Sequence, residues 1–237
     1  VVGSCIHCHM IGDAMRTSYR EKKQSVPDEW VFPMPAPETV GITLAGDQVA
    51  KVSAVTAGSL AEKAGLKPDD EILTFAGQPL VSIADVAWAL HRTGDSAQHE
   101  VLVKRGAAEV RLVLDLPNGW RKTTDTSGRA SAWSMRAMAA GGLNMVDLSD
   151  DERKTRGLGT DSMALWVKGL GMYGPHAAAK NAGFQKEDVL IEVAGLKERI
   201  SESRLHGHLM QDHFKGEHIP VKVLRGGRTL DLKLPMQ

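Results

Sequence analysis

Cysteine is nearly absent from this sequence: its 237 residues include only two, and both lie within the first eight positions. No disulfide framework can therefore span a domain, and the cores must be held together by packing. An excess of charge of one sign is also lacking, because Lys plus Arg and Asp plus Glu both number 29. Without a basic excess we expect no nucleic-acid partner. No apolar run reaches the roughly 20 residues that cross a bilayer, so we expect no membrane span in this chain.

The composition is that of a folded protein, with 42% hydrophobic and 24% charged residues. The length suits two domains of roughly 80 to 120 residues each. Because the sequence begins with Val1 and not with Met, we expect it to be a processed form.

An internal repeat organises most of the chain. Residues 58–77 are similar in sequence to residues 176–195, and the strand-like stretch 101–106 is similar to 221–226. Each copy predicts a strand, a short helix ending at Gly, a strand, a Gly turn, a longer helix and two alternating strands. The first long helix should begin at Ser82, and its counterpart near Ser201. We therefore predict an α+β fold of two small, partly open β-barrels with two helices each.

The pattern Ala-Gly-Leu-Lys-Pro-x-Asp at residues 64–70, followed by Ile-Leu and a Gly turn, resembles the PDZ domains of the high-temperature-requirement protease family. The resemblance covers about residues 38–117 and, more loosely, 155–236. It implies a groove between the second strand and the longer helix, where a partner's chain end adds as an extra strand.

The same resemblance implies a loop of backbone N–H groups that receives the terminal carboxylate of a bound peptide. The matching positions are Val40, Gly41 and Ile42 in the first copy and Leu158, Gly159 and Thr160 in the second. We therefore predict a C-terminal peptide as a ligand of the first PDZ domain.

The N-terminal motif Cys5-Ile6-His7-Cys8-His9 is typical of covalent haem attachment, in which two thiols bond the porphyrin and a histidine binds the iron. On a helix, positions 5, 8 and 9 stand at i, i+3 and i+4, so both sulfurs and the His9 ring share one face. We predict one covalent haem c with His9 as an iron ligand. Met34 is a candidate for the opposite iron position, with a histidine of either PDZ domain or of another subunit as its rival.

Other chemistries remain open for this motif. A Cys-x-x-Cys pair at a helix start also suits a thiol–disulfide site, because the helix lowers the pKa of the first thiol. Zinc would need distant partners, since these ligands cannot wrap a tetrahedron by themselves. An inert pair of thiols is the remaining interpretation. Farther along, His206, His208, His213 and His218 point in different directions on a helical spacing, so we expect solvated histidines there.

These signals predict four segments: a helical haem-attachment segment at 1–37, PDZ domains at 38–117 and 155–237, and a packed connection at 118–154. The connection contains Trp120 and Trp133, which we expect to be packed against the domains. This layout resembles a planctomycete-type family that joins cytochrome-like or thioredoxin-like pieces to PDZ domains. That resemblance implies a bacterial envelope setting, in the periplasm or another extracytoplasmic compartment.

Together, the haem-attachment motif and the two PDZ-like repeats predict an envelope scaffold whose single haem c serves electron transfer or the assembly of a redox complex. The alternatives are a cofactor-free PDZ adaptor and a thiol–disulfide oxidoreductase using Cys5 and Cys8. We expect a non-catalytic subunit, because the sequence has no Gly-x-Ser-x-Gly elbow, phosphate loop or His-Glu-x-x-His motif. Residues 1–37 are too few to enclose a haem, so we expect a protein partner there, either a redox-complex subunit or a second copy.

Overall fold

The structure is a computed structural model that describes residues 8–46 and 50–237, with the backbone alone for Cys8 and His9. It divides into two compact units. The single-segment unit is Phe32–Thr124, and the two-segment unit joins Val1–Val31 to Asp125–Gln237.

The predicted connecting segment, 118–154, is therefore shared between the two units. The predicted domain boundaries themselves stay a prediction.

Eight helices and eleven strands follow one another along the described chain. The helices are α1 (Cys8–Glu21), α2 (Asp28–Val31), α3 (Leu60–Lys63), α4 (Ile83–His91), α5 (Ala130–Ala140), α6 (Asp150–Thr155), α7 (Ala178–Asn181) and α8 (Glu202–Asp212). The strands are β1 (Ile42–Leu44), β2 (Val52–Val55), β3 (Glu71–Phe75), β4 (Gln78–Pro79), β5 (Ala97–Arg105), β6 (Ala108–Leu116), β7 (Leu143–Asp147), β8 (Leu165–Leu170), β9 (Val189–Val193), β10 (His218–Arg225) and β11 (Arg228–Pro235). Short 3-10 turns cover Pro37–Val40, Trp120–Thr123 and Gly174–Ala177.

The single-segment unit contains two open sheets, a β1–β2 pair and a four-stranded sheet in the order β4-β3-β5-β6. Side chains alternate between the two faces of a strand, and one face of the four-stranded sheet is covered by the core. Val101 and Val103 on β5 are therefore fully buried, whereas Leu102 between them is only half-buried. The buried side of α4, formed by Val86 and Leu90, packs into the same cluster. Its start at Ser82, predicted from the sequence, is confirmed, because the carboxylate of Asp85 accepts from the Ser82 N–H at 2.7 Å.

The two-segment unit contains one five-stranded sheet in the order β11-β10-β9-β8-β7, so β7 is an edge strand. Helix α5 packs against α8 and β7, and α1 also packs against α5. Two glycines, Gly141 and Gly142, join α5 directly to β7. Gly142 has φ +91°, and a Cβ there would lie 1.8 Å from the carbonyl oxygen of His176, so only glycine fits.

The α+β class is confirmed, but the predicted barrels are not formed. The sheets of the described residues stay open, because β1 pairs with β2 alone instead of joining the four-stranded sheet, and β7 and β11 remain unpaired edges. Within the described residues, no helix is both long and apolar enough to cross a membrane.

Each repeat contains the same buried ion pair, which the sequence comparison did not single out. Asp70 accepts two hydrogen bonds from Arg105, at 2.7 and 2.8 Å, and Asp188 accepts two from Arg225, at 2.6 and 2.7 Å. Both aspartates are fully buried. The pair ties the turn before one strand to the end of a long hairpin in each repeat.

The two tryptophans of the connection behave differently. Trp120 is buried in the core of the single-segment unit, and its indole N–H donates to the carbonyl oxygen of Gly94 at 3.1 Å. Trp133 is 60% exposed, so the prediction that it packs away from water is wrong. Its ring stacks on His176 with centroids 4.1 Å apart, which covers one face only.

Candidate peptide-binding edges

Strand β1 offers a free edge in the single-segment unit, since among the described residues its one strand neighbour is β2. The carbonyl oxygen of Gly41 accepts from Thr56 N–H at 2.9 Å, and Ala45 N–H donates toward β2 at 2.8 Å. Backbone groups alternate along a strand, so Ile42 and Leu44, which lie between these positions, direct their N–H and C=O groups away from β2.

Helix α4 shares a buried core with β1 and exposes one end of its apolar side. Val86 and Leu90 belong to the same buried cluster as Ile42 and Leu44. Ile83, which follows the same helical spacing one turn earlier, is 44% exposed. We call the surface between the free edge of β1 and Ile83 the first groove. It presents main-chain groups on one side and an uncovered apolar side chain on the other.

The predicted carboxylate loop is less open than the resemblance implies. Gly41 has φ +88°, and its N–H donates to the carbonyl oxygen of Glu38 at 3.0 Å. That donor is therefore satisfied within the chain. A Cβ at Gly41 would also lie 2.2 Å from the Cβ of Ser59, so the turn requires glycine. Val40 and Ile42 are buried, and the contribution of the loop to the first groove is the outward edge at Ile42.

The far end of α4 is held by a buried guanidinium that sequence reasoning missed. Arg121 donates to the carbonyl oxygens of Leu90 and His91, at 3.1 and 2.9 Å, and to that of Thr93 at 2.5 Å. These carbonyl oxygens lie at or just beyond the C-terminal end of α4, where backbone donors run out, although that of Leu90 also accepts from the Thr93 N–H at 3.2 Å. Arg121 therefore acts as a C-terminal cap of the helix. The helix beside the first groove is thereby fixed at both ends.

A second edge lies in the two-segment unit, on β7. Gly142 is the topological counterpart of Gly41: its carbonyl oxygen accepts from Gly171 N–H at 2.9 Å, and β7 begins at the next residue. Met145 N–H points away from β8 and donates to Oε1 of Glu202 at 2.7 Å. We call the surface between β7 and α8 the second groove.

Glu202 is buried in this second groove together with an arginine. Its two carboxylate oxygens accept from Nε and a terminal nitrogen of Arg136 at 2.9 and 2.7 Å. The two side chains are 3% and 15% exposed. The residues were missed because Arg136 lies outside the repeat, and Glu202 replaces a residue that is apolar in the first copy. Aligning the two helix starts, Ser82-Ile83 and Ser201-Glu202, residue by residue could have shown that Glu202 stands where the first copy has Ile83.

The other predicted loop lies elsewhere. Leu158, Gly159 and Thr160 are in the connection between α6 and β8, not at the start of an edge strand. The carbonyl oxygens of Gly159 and Ser162 accept from the buried Arg153. A peptide-binding role for these three residues stays a prediction, and Gly142 occupies the place that corresponds to Gly41.

The haem-attachment motif lies mostly outside the described residues. This holds for Cys5 and for the side chains of Cys8 and His9, whose backbone begins α1. Met34 belongs to the single-segment unit, and its N–H donates to Nδ1 of His91 at 3.3 Å. Haem attachment and iron ligation by Met34 therefore stay predictions. Among residues 8–46 and 50–237, no cluster of three His, Cys, Asp or Glu side chains is arranged to hold a metal.

The histidines on and after α8 are not all solvated, contrary to expectation. His206 is 1% exposed, and its Nε2 has no hydrogen-bond partner among the described residues. Burial lowers the pKa of His206 to about 4, with Glu202 acting to raise it and Arg136 to lower it further. His206 is therefore neutral at pH 7.

Residues 51–105 match the family model for the PDZ domain. This stretch of the chain is similar to PDZ domains. The match covers β2 to β5, which includes α4 and the first groove's helical side. A second PDZ domain stays a prediction.

Curated relatives are periplasmic proteases. The chain is 34% identical over 144 residues to the periplasmic pH-dependent serine endoprotease DegQ of Escherichia coli (strain K12), covering 60% of this chain and 27% of that protein. Probable periplasmic serine endoproteases, DegP-like, of Pseudomonas savastanoi pv. phaseolicola and Hahella chejuensis are each 25% identical, over 183 and 190 residues, covering 76% and 79% of this chain. The chain spans 27% to 38% of the length of these relatives.

Two solved structures of the HtrA-type protease AlgW with a decapeptide are similar at lower levels. One, of a serine-to-alanine variant, covers 79% of this chain and 54% of its own at 15% identity and a TM-score of 0.37. The other covers 68% and 45% at 16% identity and a TM-score of 0.33.

The relatives correct the functional prediction made from the sequence. The predicted haem c electron-transfer scaffold, with its cytochrome character, is wrong, because the relatives are serine endoproteases and not redox proteins. The predicted likeness to high-temperature-requirement proteases is confirmed as a likeness: residues 51–105 match the PDZ domain model, and the similar curated proteins are DegP-like and DegQ endoproteases.

Proposed function

We propose that this chain is a peptide-docking protein related to envelope proteases, and that its first groove binds an extended polypeptide segment as an added strand. The observation that carries the proposal is the free edge of β1, whose Ile42 and Leu44 share a core cluster with helix α4, the helix on which Ile83 is exposed. An extended peptide gains main-chain hydrogen bonds from such an edge, and a neighbouring apolar side chain adds selectivity. The PDZ match and the protease relatives support the same role.

The location follows from the same relatives. All three are named as periplasmic, which supports an extracytoplasmic envelope location for this chain. The polypeptides to be docked would then be envelope proteins with exposed, extended segments. Cleavage is not part of the proposal, since the chain spans about a third of the length of its protease relatives.

The first groove should prefer apolar residues and depend only weakly on a free chain end. Ile83 offers apolar contact, while the Gly41 N–H is already bonded to Glu38. Amidation of a peptide's C-terminus should therefore weaken binding by less than about tenfold, because one potential carboxylate donor is absent.

An array of fluorescein-labelled decapeptides, each with an apolar residue near its C-terminus, tests the proposal by fluorescence anisotropy with the full chain. We expect micromolar binding of a subset, and about three- to tenfold weaker binding after Ile83→Ser, because burial of a large aliphatic side chain is lost. Val113→Ser is the matched control, since Val113 is 56% exposed on the edge strand β6. Equal binding by both variants, or no binding by the wild type, would contradict the proposal.

A further inference from the structure

The two grooves are built from corresponding strands and helices, so the residues at matching positions can be compared. Strands β1 and β7 both follow a glycine with φ near +90°, at Gly41 and Gly142. Both strands also pair across an irregularity of one extra residue in the facing strand. Helices α4 and α8 both begin directly after a serine. By this correspondence Leu44 matches Met145, and Ile83 matches Glu202.

The same pair of positions is filled by opposite chemistry in the two grooves. In the first, Ile83 is apolar and 44% exposed, and it cannot accept a hydrogen bond from the edge strand. In the second, the Glu202 carboxylate accepts the Met145 N–H at 2.7 Å. An added antiparallel strand bonds alternate residues of the edge through their N–H and C=O groups. Glu202 therefore occupies one of the donors that such a strand would require.

The occupied position is also covered. Arg136 on α5 donates two hydrogen bonds to Glu202, and α5 packs against both α8 and β7. Because Gly141 and Gly142 join α5 to β7 directly, Arg136 is held near β7 by the chain itself. The Arg136–Glu202 pair therefore competes with a peptide for β7 at a high effective concentration.

We propose that Glu202 is an internal ligand of β7: its carboxylate takes the place of a peptide carbonyl, so the second repeat closes its own groove and, of the two grooves described, only the first binds a peptide. A charged acceptor forms a stronger hydrogen bond than a neutral peptide carbonyl. A peptide that displaced it would deprive the buried Glu202 carboxylate of the hydrogen bond from Met145 N–H, leaving its Oε1 with the bond from Arg136 Nε alone. The second groove therefore excludes the extended segments that the first accepts.

Amide hydrogen exchange on the full chain without any peptide tests the contact itself. We expect Met145 N–H to exchange at least about tenfold more slowly than Leu44 N–H, its counterpart in the first groove. Glu202→Ile should accelerate exchange at Met145 at least tenfold and leave Asn144, whose N–H faces β8, unchanged. The double variant Glu202→Ile with Arg136→Met guards against misfolding, since it removes both charges and keeps apolar volume. Equal exchange at Met145 and Leu44 in the wild type would overturn the proposal.

A transplant of the carboxylate tests the exclusion. Ile83→Glu places the same group at the position that matches Glu202, so binding of the tightest labelled decapeptide should fall at least about tenfold. Val113→Glu, with the same charge change on β6, should leave binding unchanged. Slower exchange of Met145 on adding that decapeptide, or equal binding by the two variants, would refute the exclusion. This second test rests on the proposed function. If no decapeptide binds the wild type, the proposed function fails, while exchange at Met145 still decides the internal contact.

Discussion

Replacing Asp70 by asparagine should destabilise the single-segment unit by about 3 kcal/mol. The carboxylate is 1% exposed and accepts three hydrogen bonds, two from Arg105 and one from the Lys67 N–H at 2.9 Å. Asparagine keeps one side-chain oxygen as an acceptor, but its amide nitrogen would face the N–H groups that bond the other carboxylate oxygen of Asp70. Breaking a buried ion pair costs about 3 to 5 kcal/mol, and the lower end applies because Arg105 is a third exposed and can be rehydrated.

The neighbouring residue supplies a matched control. Asp69 also forms an ion pair, with Lys51 at 3.0 Å, but its side chain is 85% exposed. Asparagine tolerates the positive φ of Asp69 as well as aspartate does, so Asp69→Asn changes the charge alone. We expect it to cost less than about 1 kcal/mol.

Amide exchange at Val101 and Val103, at the centre of β5, is the assay, because it reports the opening of this unit separately from the other. Burial alone would raise the pKa of Asp70, but the hydrogen bonds from Arg105 and Lys67 outweigh it and lower the pKa. The stabilisation is therefore complete above the ordinary aspartate pKa and is lost as pH falls through the lowered value. Equal effects of Asp70→Asn and Asp69→Asn at pH 7 would refute the reasoning.

Three further predictions concern single residues. Gly142→Ala should cost about 3 kcal/mol or more by thermal unfolding, because its Cβ would lie 1.8 Å from a carbonyl oxygen, whereas Gly157→Ala, at φ +69° in open space, should cost about 1 kcal/mol. Burial lowers the pKa of His206 from 6.5 to about 4, so the unfolded chain binds a proton on this side chain before the folded protein does. The free energy of unfolding should therefore be unaffected by His206 above pH 6.5 and should fall by about 3 kcal/mol in all as pH falls from 6.5 to 4. His206→Leu should flatten this pH dependence in urea titrations. Arg121→Met should speed amide exchange at the end of α4 at least tenfold, and unchanged exchange would exclude its role as a cap.

Local signals predicted much of this fold. The repeat, the Gly turns and the capping serines at Ser82 and Ser201 each act over a few residues, so they can be read from the sequence. The PDZ resemblance followed from the stretch 64–70. These elements reappear with the expected order, which is why the helical side of the first groove could be predicted.

The second groove could not be predicted, because its residues meet only in three dimensions. Arg136 lies 66 positions before Glu202, on a helix outside the repeat. The start of β7 was missed because α6 lengthens the connection to β8, which shifted the predicted loop to Gly159. The functional error had a different cause: a five-residue motif around Cys5 and Cys8 was given more weight than the repeat that fills most of the chain.

Backbone amide NMR on the isotopically labelled full chain, titrated with the tightest decapeptide, tests the central claim most directly. If only the first of the two described grooves binds a peptide, we expect saturable shifts at Ile42 to Leu44 and along Ile83 to His91, with one peptide per chain and Met145 unmoved. Shifts at Leu143 to Asp147, a stoichiometry of two, or shifts that avoid β1 would contradict the account.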